Sequence, residues 1–155
     1  MLLAVDLGLR TGLALYGRDG RLVSYRSQNV GSRARLRRAA DTILRDHATA
    51  ERVVLEGGGD LATLWVKAGQ RAGRRVRVID AGEWRRLLLL PRERRTGVGA
   101  KGAADGLARA VIEWSGASRP KGSLRHDAAE AIAVGLWGVI DAGWLAGVPE
   151  AVQRR

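Results

Sequence analysis

Three short apolar segments fill the first 28 residues, and they constrain the fold more than any other feature of the sequence. The segments LLAVDL, GLALYG and RLVSYRSQ each have the length of a strand. Gly8 and the pair Asp19-Gly20 lie between them as turn signals. Because short connections join antiparallel neighbours, the sequence predicts a three-stranded antiparallel meander.

Helical and extended segments alternate through the rest of the chain. The predicted elements after the meander are a helix that begins at Gly31-Ser32, a strand over 51–57, a helix over 60–73, a strand over 74–82, a helix over 82–90, a charged loop over 91–100, and helices over 101–116 and 126–145. A meander followed by alternating helices and strands predicts an α/β fold. Its mixed central sheet combines the antiparallel meander with parallel strands and is flanked by helices.

Chain length and cysteine content exclude several classes of protein. The 155 residues have the size of one domain, which is predicted over 1–155. The absence of cysteine excludes disulfides, thiolate zinc sites and cysteine nucleophiles, and it permits the cytoplasm. Charged residues interrupt every long apolar segment, and the start of the chain lacks the basic region of a signal peptide. We therefore expect a cytoplasmic protein that does not insert into a membrane.

The positive charge of the chain indicates a polyanionic partner. The formal net charge is +11, and the cations cluster instead of spreading evenly, which argues against a general arginine bias. Nucleic acid is the simplest partner for such a surface. The cations expected to contact it are Arg10, Arg74, Arg75, Arg85, Arg86, Arg92, Arg94, Arg95, Lys101, Lys121 and Arg125.

Four acids occupy special positions in this basic chain. Asp6 ends the first predicted strand, and Glu56 lies near the end of the strand over 51–57. Asp127 and Glu130 are three residues apart on the last predicted helix, so they share one face. Adjacent strand ends can lie side by side, and a helix packed on the sheet can direct its first turn at them. The four carboxylates are therefore expected in one pocket.

Such a pocket requires compensating positive charge. Two like charges about 4 Å apart repel by roughly 4 kcal/mol at an effective dielectric constant of about 20. Mg²⁺ or Mn²⁺ relieves this repulsion, because both ions accept oxygen ligands. Two such ions about 3.5–4 Å apart can activate an attacking water and stabilise the leaving oxygen of a phosphodiester. The sequence therefore predicts two Mg²⁺ or Mn²⁺ ions and hydrolysis of nucleic acid.

Each acid taken alone also fits a structural role. Asp6 fits a turn, and Glu56 fits a solvent-facing loop before GGGD. Asp127 fits the N-cap or first turn of the last helix, where a negative charge is favoured, and Glu130 fits a capping arrangement or an exposed position. The metal-site hypothesis depends on the four acids together.

Two further residues have open roles. Lys101 begins the helix predicted over 101–116, where a cation opposes the helix dipole. It is either directed at a phosphate or the attacking water, or simply solvated. His126 precedes Asp127 and fits a metal ligand, an acid–base group or a turn residue.

Four segments match the pattern of one nuclease family. They are AVDLGLRTGLALYG, the strand RVVLEG, the helix start AKGAADGLARAVIEW, and RHDAAEAIAVGLWG. In these segments, and along almost its whole length, the sequence resembles the RuvC family of Holliday junction resolvases, which belong to the RNase H-like superfamily. Two features depart from the family. No aromatic residue follows soon after the acid of RVVLEG, because GGGDLATL intervenes and the chain has no phenylalanine. The last acid is a glutamate where the family more commonly has an aspartate.

The resemblance implies an RNase H-like fold, a metal-dependent endodeoxyribonuclease activity and a set of catalytic residues: Asp6, Glu56, Lys101, Asp127 and Glu130. Of these, the four acids would bind the metal ions, and the lysine would assist at the phosphate. The resemblance also implies a homodimer that makes paired nicks across four-way junction DNA. The helix that contains Trp65 would form the dimer surface.

Two other functions are compatible with the sequence. One is a related RNase H-like nuclease that processes RNA. The other is a non-catalytic module that binds branched DNA, in which the acids serve only as caps and turns. An actin-like ATPase also begins with D-x-G, but this chain is too short for two lobes around a nucleotide.

Overall fold

The computed structural model describes residues 1–153, which contain a single five-stranded sheet. Its strands are β1 (Leu2–Asp6), β2 (Arg10–Tyr16), β3 (Leu22–Asn29), β4 (Arg52–Glu56) and β5 (Arg75–Ile79). They are ordered β3-β2-β1-β4-β5. The first three strands pair antiparallel, whereas β1 pairs parallel with β4 and β4 with β5. The predicted mixed sheet is therefore confirmed.

Five helices cover the two faces of the sheet: α1 (Arg33–Asp46), α2 (Gly59–Arg71), α3 (Ala81–Leu88), α4 (Gly97–Ser115) and α5 (His126–Asp141). Two short 3₁₀ helices span Pro91–Arg94 and Glu150–Val152. α1 and α2 pack on one face, and α5 lies across the other with α3 and α4 against it. Within 1–153, no helix combines the length and the apolar character that crossing a membrane requires.

Side chains of β1 alternate between the two hydrophobic cores. Leu3 and Val5 pack with α1 and α2, whereas Leu2 and Ala4 pack beneath α5. The same alternation directs Asp6, the last residue of the strand, toward the side of α5.

Small residues let α5 lie close to the sheet. A Cβ atom built on Gly135 would lie 2.2 Å from Cε2 of Tyr16, so only glycine fits beneath this part of the helix. The Tyr16 hydroxyl donates a hydrogen bond of 2.6 Å to the carbonyl oxygen of Ile132. These contacts fix the height of α5 above the strands, and with it the position of the helix's first turn.

The segment 91–100 is more ordered than the predicted loop, so that prediction was wrong. Pro91–Arg94 forms a 3₁₀ helix, and α4 begins at Gly97. The reason is a cap, because Oγ1 of Thr96 accepts a 3.0 Å hydrogen bond from the backbone N–H of Gly99. Lys101 therefore lies in the second turn of α4 and does not begin the helix.

Trp65 does not lie on an outer surface of α2. Its side chain is 1% exposed and packs in the core beneath α1 and α2. Trp65 itself therefore cannot contact a second copy, and a dimer surface on the helix that contains it stays a prediction. The outward side of α2 carries polar residues, among them Asp60, Lys67 and Arg71.

Candidate active site

Asp6 and Glu56 lie side by side at the carboxyl ends of two parallel strands. The register of β1 and β4 pairs Asp6 directly with Glu56. Two residues earlier, Ala4 and Val54 belong to the core beneath α5, so both acids project to that face of the sheet. The strand-end convergence predicted from the sequence is present in the structure.

Gly12 allows the first turn of α5 to reach the same row of the sheet. It is the β2 partner of Asp6, and a Cβ atom built on it would lie 1.9 Å from the backbone carbonyl oxygen of Asp127. Real atoms do not approach so closely, so any side chain here would push α5 away from the sheet. Because Gly12 has no Cβ atom, α5 can lie close to the sheet, and its acids lie beside the strand ends.

Three of the four predicted acids form a tight cluster. Asp6, Glu56 and Glu130 each offer a carboxylate oxygen, and these oxygens lie within 4.8 Å of one another. All three side chains are partly buried, and the Glu130 side chain is only 13% exposed. We call these three residues the acid triad.

Asp127 lies at the margin of the acid triad. It is buried in the first turn of α5, and its Oδ2 accepts a 2.5 Å hydrogen bond from the Ser27 hydroxyl. Ser27 is the β3 partner of Gly12, so one row of the sheet holds both the acids and the serine. Sequence analysis missed Ser27, because a serine in a strand gives no signal until the register is known.

Burial and mutual repulsion raise the pKa values of the strand-end acids. The pKa of Asp6 rises to about 9, first because of burial and then because of the negative charges of Glu130 and Glu56. The pKa of Glu56 is also raised, again by burial and then by Glu130, while the nearby Arg85 opposes the shift. At neutral pH Asp6 therefore holds a proton. A site that disfavours the negative charges of its own carboxylates in this way favours binding of a cation.

Glu130 also faces two basic side chains. An Nη atom of Arg85 lies 3.2 Å from Oε1 of Glu130, and Nε2 of His126 lies 3.4 Å from the same oxygen. His126 is half-exposed at the start of α5. Of the three roles proposed for His126, its position beside the acid triad fits a metal ligand or an acid–base group.

Lys101 is exposed on α4 and forms no hydrogen bond or ion pair with any residue in 1–153, the acid triad included. Its catalytic role stays a prediction.

The predicted nucleic-acid contacts differ in their distance from the acids. Arg74 and Arg75 lie at the amino end of β5, whereas Ile79 at its other end is the register partner of Glu56. Ile79 lies four residues after Arg75 along the strand, which corresponds to about 13 Å. Arg85 lies at the acid triad, Arg94 is half-buried, and six more cations are exposed: Arg10, Arg86, Arg92, Arg95, Lys121 and Arg125.

A second group of cations lies between α1 and α2, and sequence analysis did not assign it to a site. A cleft of about 370 Å³ separates the two helices and is lined by Arg33, Arg37, Lys67, Arg71 and Asp60, among others. Arg33 pairs with Asp60 at 2.7 Å, and Arg71 pairs with Asp41 at 2.8 Å. Within the described residues, no hydrogen bond or ion pair engages Arg37 or Lys67. We call this the α1–α2 cleft.

Comparison with known proteins shows the fold. No protein-family model and no curated protein matches the chain. The structure is similar to T. thermophilus RuvC in complex with a Holliday junction substrate, with 16% identity, a TM-score of 0.63, and coverage of 92% of this chain and 94% of RuvC.

The fowlpox virus resolvase, in complex with its substrate Holliday junction DNA, has the same fold. It is 14% identical, with a TM-score of 0.61, and the match covers 91% of this chain and 97% of the resolvase. The predicted RNase H-like fold is therefore confirmed.

Proposed function

We propose that this protein is a metal-dependent endonuclease that resolves four-way DNA junctions. The convergence of Asp6, Glu56 and Glu130 within 4.8 Å carries the proposal. It occurs on a fold shared with two resolvases, each in complex with Holliday junction DNA. Partly buried carboxylates so close together repel one another when ionised, and a bound cation would relieve that repulsion.

The donor set of the acid triad fits Mg²⁺ or Mn²⁺. Every donor is a carboxylate oxygen, the ligand that both ions accept in nucleotide-processing sites. Asp6, Glu56 and Glu130 would hold the first of two ions. Asp127 would bind the second ion through Oδ1, because its Oδ2 accepts the hydrogen bond from Ser27. When bound, the ions supply an activated water and stabilise negative charge on the leaving oxygen.

The side chains around the triad would orient the phosphate and accept a proton. Hydrolysis forms a bond from the water oxygen to phosphorus and breaks the bond to the leaving oxygen, which then takes a proton. His126 would accept the proton that the water loses, because its imidazole lies beside Glu130 and is open to solvent. Lys101 would bind a phosphate oxygen from α4.

The basic surface would hold the DNA backbone. Salt-dependent contacts to phosphates supply most of the affinity of such proteins and position the scissile bond. To the predicted contact residues we add Arg37 and Lys67 of the α1–α2 cleft, because both are exposed and no acid in 1–153 pairs with either.

Paired nicks across a junction require two active sites, so we propose a homodimer. The outward side of α2 is a poor candidate for its interface, because Lys67 and Arg71 would face the same residues of a second copy. A single domain over 1–155 and a cytoplasmic location also stay predictions, which limited proteolysis and cell fractionation can test.

Cleavage of a labelled synthetic four-way junction tests the proposed function. Duplex DNA, single-stranded DNA and RNA of matching sequence serve as controls, each with Mg²⁺, Mn²⁺ or EDTA. We expect paired nicks in the junction with Mg²⁺ or Mn²⁺, no cleavage in EDTA, and none by Asp6→Asn.

The other outcomes each select a different function. Junction binding without cutting under any metal condition would indicate a non-catalytic binding module. Cutting of RNA in preference to the junction would indicate an RNA-processing nuclease. Cutting that persists in Asp6→Asn would contradict the proposed site.

A further inference from the structure

Arg85 lies among the acids that would bind metal. Its side chain is only 27% exposed, and its one ion-pair partner within residues 1–153 is Glu130. Its charge also lowers the pKa of Glu56, although the net shift of that pKa is upward. The guanidinium thus supplies positive charge at the place where a metal ion would supply it.

The contact between Arg85 and Glu130 is a weak form of an arginine–carboxylate pair. One nitrogen makes it, at 3.2 Å, whereas strong charged hydrogen bonds are shorter and strong arginine pairs use two parallel bonds. Nε of Arg85 is buried and has no hydrogen-bond partner among the described residues. Only this one weak contact would be lost if Glu130 turned toward another cation.

We propose that Arg85 is a resident counter-ion that competes with the divalent metal for Glu130. This inference rests on the metal site of the proposed function and adds to it a residue that tunes metal affinity. In the absence of metal, Arg85 positions Glu130 and offsets the repulsion within the acid triad. Metal binding breaks the Arg85–Glu130 pair, so the arginine weakens metal affinity while it stabilises the metal-free site.

Trp84 provides a reporter for this exchange. The guanidinium carbon of Arg85 lies 5.2 Å from the centroid of the Trp84 ring, which is fully buried. Movement of Arg85 away from Glu130 changes the charge over the indole. Tryptophan emission should therefore change when Mg²⁺ binds.

Calorimetric titration with Mn²⁺ at pH 8 tests the proposal on wild type, Arg85→Gln and Arg86→Gln. The two substitutions remove the same charge from neighbouring positions of α3, but Arg86 is exposed and makes no ion pair with an acid in 1–153. We expect Arg85→Gln to bind Mn²⁺ about tenfold more tightly, which corresponds to about 1.4 kcal/mol. Arg86→Gln should change the affinity by less than about threefold, since exposed charges act weakly at a distance.

If Arg85 had only a structural role, Arg85→Gln would disrupt the site and weaken metal binding. Tighter Mn²⁺ binding by Arg85→Gln would therefore show that the arginine competes with the metal. Equal or weaker Mn²⁺ affinity of Arg85→Gln would overturn the inference and leave the metal site intact. Absence of Mn²⁺ binding by the wild type would overturn both.

If Arg85→Gln does not fold, the tryptophan emission of the wild type during titration with Mg²⁺ tests the inference instead, with Trp84→Phe as the control. An emission change that is lost in the control supports the exchange, and no change in the wild type contradicts it.

Discussion

Asp6 and Glu56 are direct partners across the parallel pair of β1 and β4, and carboxylate oxygens of the two side chains lie within 4.8 Å of each other. Two chain segments 50 residues apart thus present a pair of acids at one sheet edge. Glu130 completes the arrangement from α5. The acid triad therefore depends on the register of the sheet and the placement of one helix.

The raised pKa of Asp6 predicts that stability in EDTA falls as pH rises. The folded state keeps the Asp6 proton up to about pH 9, whereas the unfolded chain loses it near the ordinary value of 3.8. The folded state binds more protons between these values, so the free energy of unfolding decreases across this window. Asp6→Asn should remove most of this slope and stabilise the protein at pH 8 by about 1 kcal/mol or more. Thermal unfolding in EDTA between pH 5 and 9 measures both, and an unchanged slope in the variant would contradict the assignment.

Divalent cations should reverse this loss of stability. An ion that binds only the folded state stabilises it by about 2.7 kcal/mol at a concentration one hundred times its Kd. We expect Mg²⁺ or Mn²⁺ to raise the melting temperature of the wild type at pH 8 and to have little effect on Asp6→Asn. A melting temperature that responds equally in both proteins would place the ion elsewhere.

Gly12→Ala should displace the first turn of α5. The new Cβ atom would lie 1.9 Å from the carbonyl oxygen of Asp127, which is backbone and cannot rotate away. We expect a loss of about 1–3 kcal/mol of stability and a fall of at least about tenfold in Mn²⁺ affinity. Gly102→Ala is the matched control, because a Cβ atom there meets nothing within 4 Å and should stabilise α4 by about 0.5–1 kcal/mol. Unfolding and calorimetry check both variants, and unchanged Mn²⁺ affinity in Gly12→Ala would show that the close approach does not position the acids.

Glu130 and Asp127 should differ in their effect on metal affinity. Glu130 belongs to the acid triad, whereas Asp127 is held by Ser27 at its margin. We expect Glu130→Gln to weaken Mn²⁺ binding by at least about a hundredfold, and Asp127→Asn to weaken the tighter binding step by less than about tenfold. Calorimetry on the two isosteric variants separates the roles, and equal losses would mean that all four acids bind the first ion.

The α1–α2 cleft should contribute phosphate contacts. Each contact adds about 0.9 to the slope of log affinity against log salt for duplex DNA. The double variant Arg37→Gln with Lys67→Gln should therefore reduce the slope for junction binding by about 2. The control, Arg35→Gln with Arg38→Gln, removes the same charge from α1 outside the residues that line the cleft. Equal losses in both double variants would indicate only a general effect of net charge.

Local sequence patterns predicted the sheet and most of the acid site. Asp6 and Glu56 could be placed together because parallel neighbours end at the same edge of a sheet. Glu130 followed from its position one turn into the last helix. These inferences needed only the order of the elements and the periods of helix and strand.

Tertiary contacts determined what the sequence did not reveal. The hydrogen bond between Ser27 and Asp127 depends on the register of β3, which no local pattern specifies. Arg85 was predicted as a DNA contact, but its partner Glu130 lies 45 residues away. The Thr96 cap was recognisable in principle, since threonine is a common N-cap residue, but the charged residues before it concealed the helix start.

The packing of α5 links the acid triad to the global stability of the fold. Nearly every residue from Ala128 to Val139 is buried, so the amide hydrogens of this helix should be among the last to exchange with solvent. Asp127 and Glu130 are therefore anchored to the most cooperative unit of the molecule, while the basic residues that would meet DNA lie mainly on its surface. Denaturant should abolish metal binding in the same transition that unfolds the sheet, with no earlier step in which the site alone is lost.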